Sequence, residues 1–258
     1  MKFAAILPTL GEREHLFESL ESLMSQDFCQ ILIVCPTYNN LQIPQDSRIK
    51  LLQDSGSGLA SSLNLALQYL DPDIDYFCWL NDDDVLMPDA LDTWEEMVQD
   101  SPACAFGACD YVSPSGETLW TSRFGMLAAR LVGIGPDLVP QPSACFHLKF
   151  TNKIGGMRVD RGLAFDYDYK IRLKREGAFK STTATLSRFM WHKGSLTVSN
   201  RFASALSASS ARVKTKSGTA KLLQVVCEPL IVFLTWLAGK ILTMRALVPN
   251  SKNRKASH

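Results

Sequence analysis

One stretch of the sequence decides the fold, Asp75-Tyr76-Phe77-Cys78-Trp79-Leu80-Asn81-Asp82-Asp83-Asp84. Its first six residues are mostly apolar and predict a buried strand, and three adjacent aspartates follow where that strand ends. Neighbouring carboxylates repel one another and lose hydration when buried, so a positive charge is expected beside them. Mg²⁺ or Mn²⁺ fits this role, because these ions take oxygen ligands and bridge carboxylates to substrate phosphates. For these residues alone, an acidic surface loop that caps the next helix is the alternative.

Short apolar runs alternate with helical segments on both sides of this strand. The runs at residues 2–7 and 31–35 predict strands, and leucines at helical spacing predict helices within residues 14–25 and 59–70. Strands and helices that alternate in this way form parallel sheets of right-handed βαβ units. Ligands of such α/β sheets bind beyond the carboxyl ends of the strands, which is where the aspartates lie.

The second half of the chain has a different pattern. Residues 103–112 and 117–121 flank the turn Ser113-Pro114-Ser115-Gly116 and predict a β-hairpin. Residues 141–150 are another strand candidate, and residues 166–176 predict a helix.

Charge is distributed unevenly along the 258 residues. The net charge is only +1, but residues 201–258 hold ten lysines and arginines against the single acid Glu228, which leaves residues 1–200 with a net charge of −8. We therefore expect a catalytic domain at residues 1–200, followed by a basic, apolar helical tail at residues 201–258 that attaches to a surface. This asymmetry argues against a nucleic-acid binder.

Cysteine usage bears on the cellular compartment. The seven cysteines form no C-x-x-C pair, and most lie within apolar runs. Buried, reduced thiols are typical of a cytoplasmic protein rather than of a disulfide-linked secreted one. The apolar run at the N-terminus is too short for a secretory signal, and Pro8 follows it directly, so we expect a cytoplasmic location.

Several further motifs follow one another along the chain. In the first half these are Leu7-Pro8-Thr9, the helix start from Gly58 to Asn64, and Asn81-Asp82-Asp83-Asp84 followed by x-x-x-Pro-Asp. In the second half they are Gln141-Pro142-Ser143 with Phe146, Ile154-Gly155-Gly156, Phe165-Asp166-Tyr167-Asp168-Tyr169 and His192-Lys193-x-Ser195. In this order they resemble the inverting GT-A glycosyltransferases of family 2. The resemblance covers about residues 1–200, and several ordered motifs are more specific than any single one.

The resemblance implies a GT-A-type α/β fold, with a mainly parallel, Rossmann-like sheet flanked by helices and a C-terminal helical tail. It implies a nucleotide-sugar donor of the UDP or dTDP type, whose diphosphate is bridged to the acidic motif by Mn²⁺ or Mg²⁺. The implied metal ligands are Asp83, Asp84 and His192, with Asp83 foremost. The implied donor-binding residues are Pro8, Thr9, Arg13, Asn64, Asn81 and Asp82.

The resemblance also implies that Asp166 is the catalytic base. It would remove the proton of an acceptor hydroxyl on the face of the sugar opposite to the departing diphosphate, which inverts the anomeric centre. Taken alone, Asp166 is explained as a helix N-cap, and His192 as an ordinary, partly buried histidine. Asp168 is better explained as a residue that orients the loop. The implied acceptor is a saccharide or a lipid-linked molecule, in the synthesis of cell-surface polysaccharide or glycolipid.

The tail contains a dense apolar segment, Leu230-Ile231-Val232-Phe233-Leu234-Thr235-Trp236-Leu237-Ala238. A membrane span needs about 20 mostly apolar residues. The longer stretch from Leu222 to Met244 includes Gln224, Glu228, Pro229 and Lys240, so a span is the less favoured alternative. Trp236 and the flanking basic residues favour a helix that lies on the cytoplasmic face of a membrane against anionic lipid. The alternative is a helix that packs on the catalytic domain or on a second copy of the chain, as in a homo-oligomer.

Two other functions are consistent with acids at the end of a strand. A nucleotidyltransferase on a similar sheet also needs acids and a metal, but it usually has a glycine-rich phosphate loop after the first strand, where residues 7–13 contain one glycine. A catalytically inactive module that binds sugar nucleotides is the third function class. The intact set of Asp83, Asp166 and His192 argues against it.

Overall fold

The computed structural model describes residues 1–11, 15–36, 41, 43–192 and 201–247. The strands of this part of the chain are β1 (Phe3–Pro8), β2 (Gln30–Pro36), β3 (Ile49–Asp54), β4 (Tyr76–Trp79), β5 (Val85–Leu86), β6 (Cys104–Val112), β7 (Thr118–Ser122), β8 (Ala144–His147) and β9 (Phe179–Met190). The helices are α1 (Leu16–Met24), α2 (Leu59–Tyr69), α3 (Ala90–Met97), α4 (Met126–Leu131), α5 (Leu148–Lys153), α6 (Phe165–Leu173), α7 (Arg201–Lys214) and α8 (Gly218–Leu247).

The strands form one sheet in the order β3-β2-β1-β4-β8-β6-β9-β5, with β7 paired to β6. Strands β1 to β4 pair in parallel, and β6 pairs in parallel with β9. Only β8 separates these two parallel groups, and it is antiparallel to both β4 and β6. The two groups therefore run in the same direction, which confirms the mainly parallel α/β sheet.

Alternate residues of each central strand enter cores on opposite faces of the sheet. In β1, Ile6 packs on one face with residues of α2 and α6, whereas Leu7 packs on the other face with residues of α1 and α3. A strand buried on both faces has no polar alternation, because both sides of the sheet are covered by helices. This explains why the strand before the aspartates is a continuous apolar run.

The predicted strand at residues 141–150 is wrong in its extent. Gln141–Ser143 form a 3₁₀ turn, only Ala144–His147 form β8, and α5 begins at Leu148. Pro142 has no backbone N–H to give to a sheet, so the strand begins only after it. At the other end, the His147 ring accepts a hydrogen bond from the Lys149 N–H and caps α5.

The hairpin and the last predicted helix are confirmed with shifted bounds. Strands β6 and β7 pair antiparallel, with Tyr111 opposite Trp120. Helix α6 begins at Phe165 and ends at Leu173, three residues earlier than the pattern predicts.

The tail helices pack against the sheet domain through an apolar contact and a polar cluster. Ala211 of α7 packs with Tyr167 and Ile171 of α6. Arg212 of α7 is fully buried and pairs with Glu228 of α8, with nitrogen to oxygen distances of 2.7 and 2.5 Å. Arg212 also donates to the Gly135 carbonyl at 3.0 Å, and Gln224 donates to the Ile134 carbonyl at 3.2 Å. The inner face of α8 is therefore attached to the sheet domain.

The outer face of α8 is apolar and exposed. Leu222, Leu223, Val226, Leu230, Phe233 and Leu234 are each more than half exposed. Residues 218–241 are long and apolar enough to cross a membrane by length and composition, with 11% of the most apolar window buried.

Candidate functional site

All three aspartates that follow β4 are buried. Asp82 and Asp83 are about one-twentieth exposed, and Asp84 is inaccessible to solvent. The surface-loop alternative therefore does not apply, because a buried carboxylate needs specific partners. The structure gives the three residues partners from different strands.

Asp82 is held by the end of β1. The Thr9 hydroxyl donates to Asp82 Oδ2 at 2.6 Å, and the same hydroxyl accepts from the Gly11 N–H at 2.8 Å. The Thr9 N–H donates to the Val34 carbonyl of β2 at 2.9 Å, and this bond fixes the loop that follows Pro8. Of the predicted donor-binding residues, Pro8, Thr9 and Asp82 thus lie together at one end of the sheet, whereas Arg13 lies outside the described residues.

Asp83 meets the histidine predicted as a metal ligand. His192 follows β9 by two residues, and its Nε2 lies 2.7 Å from Asp83 Oδ2, although the two residues are 109 positions apart in the sequence. One carboxylate and one imidazole facing each other are a partial ligand set for Mn²⁺ or Mg²⁺. Their roles in binding a metal stay predictions.

Asp84 has a different environment. Its two oxygens accept hydrogen bonds from the Asn81 side-chain amide at 2.9 Å and from the Met190 N–H at 3.3 Å. Because Asp84 is fully buried and both of its oxygens are engaged, this geometry favours a structural role over the predicted metal contact. Asn81 likewise supports Asp84, and its predicted contact with the donor stays a prediction.

The described residues include no group of three or more His, Cys, Asp or Glu side chains arranged as a complete metal site. The residues present still fit Mn²⁺ or Mg²⁺ in a complex with substrate. Mg²⁺ in particular is usually held by one or two carboxylates, substrate phosphates and water rather than by a full set of protein ligands. Asp83 with His192 supplies such a minimal set.

Asp166 lies in the first turn of α6, at the same end of the sheet. Tyr169 on this helix packs its ring edge against Trp79, the last residue of β4, with ring centroids 6.0 Å apart. Asp166 does not cap the helix, because the N-cap is Ala164 and no side chain makes a capping hydrogen bond. Its Oδ2 instead lies 3.4 Å from the ammonium of Lys170, and its side chain is 29% exposed.

Lys170 links Asp166 to Asp137, an acid that the sequence pattern did not single out. The Lys170 ammonium forms an ion pair with Asp137 and donates to the Val139 carbonyl at 3.2 Å. Loss of hydration raises the pKa of Asp137 to about 6, although Lys170 opposes this rise. Burial opposes the charge of Lys170, but Asp137 and Asp166 outweigh it and raise the pKa of Lys170 above its ordinary value.

The segment that carries Asp137 is fastened to the end of β4. Gln141 donates from its side-chain amide to the Trp79 carbonyl at 2.5 Å. Because Trp79 is the last residue of β4, this bond holds the segment that carries Asp137 beside the strand that leads to the three aspartates.

Asp168 orients the loop before α6, as expected from the sequence. It is fully buried, and Arg172 Nε donates to its Oδ2 at 2.8 Å. Arg172 also donates to the carbonyls of Ile154 and Gly156, at 2.8 and 2.7 Å. Arg161 lies 3.3 Å from the other oxygen of Asp168.

Both the nitrogen and the oxygen of the Asn64 side-chain amide form a hydrogen bond inside the protein. Its Nδ2 donates to the Met157 carbonyl and its Oδ1 accepts from the Met157 N–H, both at 2.8 Å. A Cβ on Gly156 would lie 2.5 Å from Asn64 Oδ1, so only glycine permits this approach. Asn64 therefore fastens the Gly155-Gly156 turn, and its predicted contact with the donor stays a prediction.

Comparison with protein families matches residues 4–181 to the model of glycosyl transferase family 2. No curated protein sequence matches the chain at a significant level.

Solved structures of similar fold include S. aureus TarS 1–349 in complex with UDP and the mannosyltransferase PcManGT from Pyrobaculum calidifontis in complex with GDP-Man and Mn²⁺. TarS is 13% identical with a TM-score of 0.59, over 82% of this chain and 65% of TarS 1–349. PcManGT is 16% identical with a TM-score of 0.61, over 97% of this chain and 76% of that protein. The chain thus spans slightly less than two thirds of TarS 1–349, and at these identities the likeness shows the fold alone.

We predict that the two aspartates of α6 differ in their effect on stability. Asp168→Ala leaves the buried guanidinium of Arg172 unpaired, and we expect the free energy of unfolding to fall by about 3 kcal/mol. Asp166→Asn changes a partly exposed ion pair, and we expect a change within about 1 kcal/mol. Urea unfolding followed by circular dichroism measures both, and equal losses in the two variants would contradict the assignment.

Proposed function

Because the chain belongs to glycosyl transferase family 2, we propose that it transfers a sugar from a nucleotide-diphosphate donor to a hydroxyl acceptor with inversion at the anomeric carbon. The observation that carries this proposal is the pairing of Asp83 with His192 beside β4, with Asp166 presented by α6 at the same end of the sheet. Both groups of carboxylates lie where the ligands of α/β sheets bind.

We place the donor beside the Thr9–Asp82 pair, at the ends of β1 and β4. TarS has been solved with UDP and with UDP-GlcNAc, and PcManGT with GDP-Man, which supports a nucleotide-sugar donor for this fold. We propose a UDP- or dTDP-type donor, with Pro8 and Asn81 beside the same pocket edge.

Asp83 and His192 are the residues proposed to hold Mn²⁺ or Mg²⁺ with the donor diphosphate. The PcManGT structure with Mn²⁺ supports a divalent ion in this fold. When bound, such an ion supplies Lewis-acid stabilisation of the negative charge on a leaving diphosphate. The protein's own contribution is to hold one carboxylate and one imidazole 2.7 Å apart on two strands that are distant in sequence.

Asp166 is the proposed catalytic base. Its carboxylate takes the proton of the acceptor hydroxyl, the acceptor oxygen forms a bond to the anomeric carbon, and the bond from that carbon to the diphosphate breaks. The nucleoside diphosphate leaves with the electron pair of the broken bond. Attack from the side opposite to the leaving group inverts the anomeric centre.

We propose that α8 lies on the cytoplasmic surface of a membrane and does not cross it. A crossing would pull Gln224 and Glu228 away from the Ile134 carbonyl and Arg212, and would leave buried Arg212 unpaired. Glu228 is the only acid of residues 201–258, and it faces inward, so the exposed side of the helix combines apolar residues with lysines. This pattern is typical of helices that bind anionic lipid, and it supports a lipid-linked acceptor in polysaccharide or glycolipid synthesis.

The donor and the metal are tested together by thermal unfolding of the full-length chain. A donor that binds the native state raises its stability, by about 2.7 kcal/mol at 100 times its Kd. We expect UDP-GlcNAc or a dTDP-hexose to raise Tm with Mn²⁺ present, and EDTA to abolish the rise. Asp83→Asn should lose the effect, whereas Asp92→Asn, an exposed acid on α3, should keep it. A rise that persists in EDTA would reject the metal role of Asp83.

The catalytic base is tested by Asp166→Asn. We expect this variant to keep the donor-induced rise in Tm and to lower transfer to saccharide or lipid acceptors by at least ~100-fold, since a general base contributes that much. Release of the nucleoside diphosphate measures transfer. Asp160→Asn, an exposed acid in the preceding segment, is the control and should retain full activity. Undiminished transfer by Asp166→Asn would remove this residue from the mechanism.

The membrane role of α8 is tested by charging its outer face. The double variant Leu230→Glu and Phe233→Glu should reduce flotation with vesicles that contain phosphatidylglycerol by at least ~10-fold, because both apolar burial and attraction to anionic lipid are lost. Phe17→Glu, at a similarly exposed apolar residue on α1, is the matched control and should float like the unaltered chain. Equal flotation of both variants would place the attachment elsewhere.

A further inference from the structure

Lys170 is a fully buried lysine beside the proposed catalytic base. Its side chain is 1% exposed, and its ammonium lies between two carboxylates, Asp137 and Asp166. Burying an ammonium is unfavourable unless opposite charges and hydrogen-bond acceptors surround it. The Val139 carbonyl at 3.2 Å supplies one such acceptor.

The ammonium of Lys170 is shared by two carboxylates, so a change in either acid alters the charge that the other one faces. A single cation beside an aspartate lowers its pKa by about 1–3 units. A base weakened in this way accepts a proton less readily, because general-base efficiency follows basicity. Asp137 is the closer partner of Lys170, so the negative charge of Asp137 offsets part of the positive charge that Lys170 presents to Asp166.

Other titratable groups near Asp137, Asp166 and Lys170 are either neutral near pH 7 or paired with an opposite charge. Burial raises the pKa of Tyr167 on α6 to about 12, and burial likewise raises the pKa of Cys104 and of Tyr111 on β6, so these groups are neutral near pH 7. Arg212 of α7 is paired with Glu228. The other charged groups at this end of α6 are Asp168 and its arginines: Arg172 donates to Asp168 at 2.8 Å, and Arg161 and Arg158 lie 3.3 and 3.9 Å from it. Within the described residues, Lys170 is the cation paired with Asp166, and Asp137 is the second acid paired with that lysine.

We propose that Lys170 and Asp137 are positioning residues for the reaction: Lys170 fixes the Asp166 carboxylate in one orientation, and Asp137 takes up enough of the lysine's charge to keep Asp166 a useful base. Asp137 belongs to the segment whose Gln141 is bonded to the end of β4, so the pair also ties the base to the donor side of the site. The catalytic consequence rests on the proposed function of Asp166, but the electrostatic coupling does not.

The coupling predicts shifts of opposite sign for two variants. Asp137→Asn leaves an amide that still accepts from Lys170, so the full charge of the lysine acts on Asp166, and we expect the pKa of Asp166 to fall by about one unit. Lys170→Met removes the cation, and we expect the pKa of Asp166 to rise by about one unit. A residue that only stabilised the fold would not produce opposite shifts.

The experiment is a titration of full-length protein labelled with ¹³C at the aspartate carboxyls, with the Asp166 resonance assigned by its absence in Asp166→Asn. The unaltered chain, Asp137→Asn and Lys170→Met are titrated together with two controls. Lys170→Arg keeps the charge and should titrate like the unaltered chain. Asp100→Asn removes an acid paired with Lys180 on the surface and should leave Asp166 unchanged. If Lys170→Met does not fold, Asp137→Asn still tests the proposal: a fall in the pKa of Asp166 supports it, and an unchanged pKa overturns it.

The same variants are then assayed for transfer against pH with the donor selected by thermal unfolding. We expect the acid limb of kcat/KM to move to lower pH in Asp137→Asn and to higher pH in Lys170→Met, in step with the titration. An Asp166 resonance that titrates identically in both variants, or moves in the same direction in both, would overturn the proposal. Transfer that survives in Asp166→Asn would instead overturn the role of Asp166 as base, while the titration result would stand.

Discussion

The structure depends on how three consecutive carboxylates are accommodated at the buried end of one strand. Each carboxylate takes a different partner: Asp82 the Thr9 hydroxyl after β1, Asp83 the His192 ring after β9, and Asp84 the Asn81 amide and a β9 backbone N–H. Because each buried carboxylate needs a partner, the ends of β1, β4 and β9 meet at one point. The same contacts that make burial tolerable bring together residues separated by more than 100 positions.

The two groups of carboxylates in the site are compensated in different ways. Within the part of the chain that the structure describes, the aspartates after β4 accept from hydroxyl and amide groups and face an imidazole. Asp166 faces a buried ammonium that is shared with Asp137. Environment, rather than residue type, thus distinguishes the aspartates after β4 from Asp166, as in enzymes that use several carboxylates for different tasks.

Local patterns in the sequence predicted much of this arrangement. Apolar runs and helical spacing predicted the alternating strands and helices of the first half, and ordered motifs predicted that Asp83 and His192 belong to one site. Strand β8 was misjudged in extent, because Pro142 and the His147 cap act over only a few residues inside an apolar run. Lys170 lies four residues after Asp166 on the same helix, a spacing that could have revealed it. Asp137 and the double hydrogen bond of Asn64 with Met157 depend on contacts between distant segments, for which one sequence carries no local signal.

The buried pair of Arg212 and Glu228 bears on where this protein can be divided. The change of charge near residue 200 suggests two separable modules, yet Arg212 reaches into the first of them and bonds the Gly135 carbonyl, which also accepts from Tyr167, the neighbour of Asp166. A chain cut between these two helices would leave a guanidinium enclosed without its counter-ion. The two tail helices are therefore part of the framework that supports Asp166, and insertion, cleavage or fusion in the short link at residues 215–217 would affect the end of the sheet where Asp166 lies.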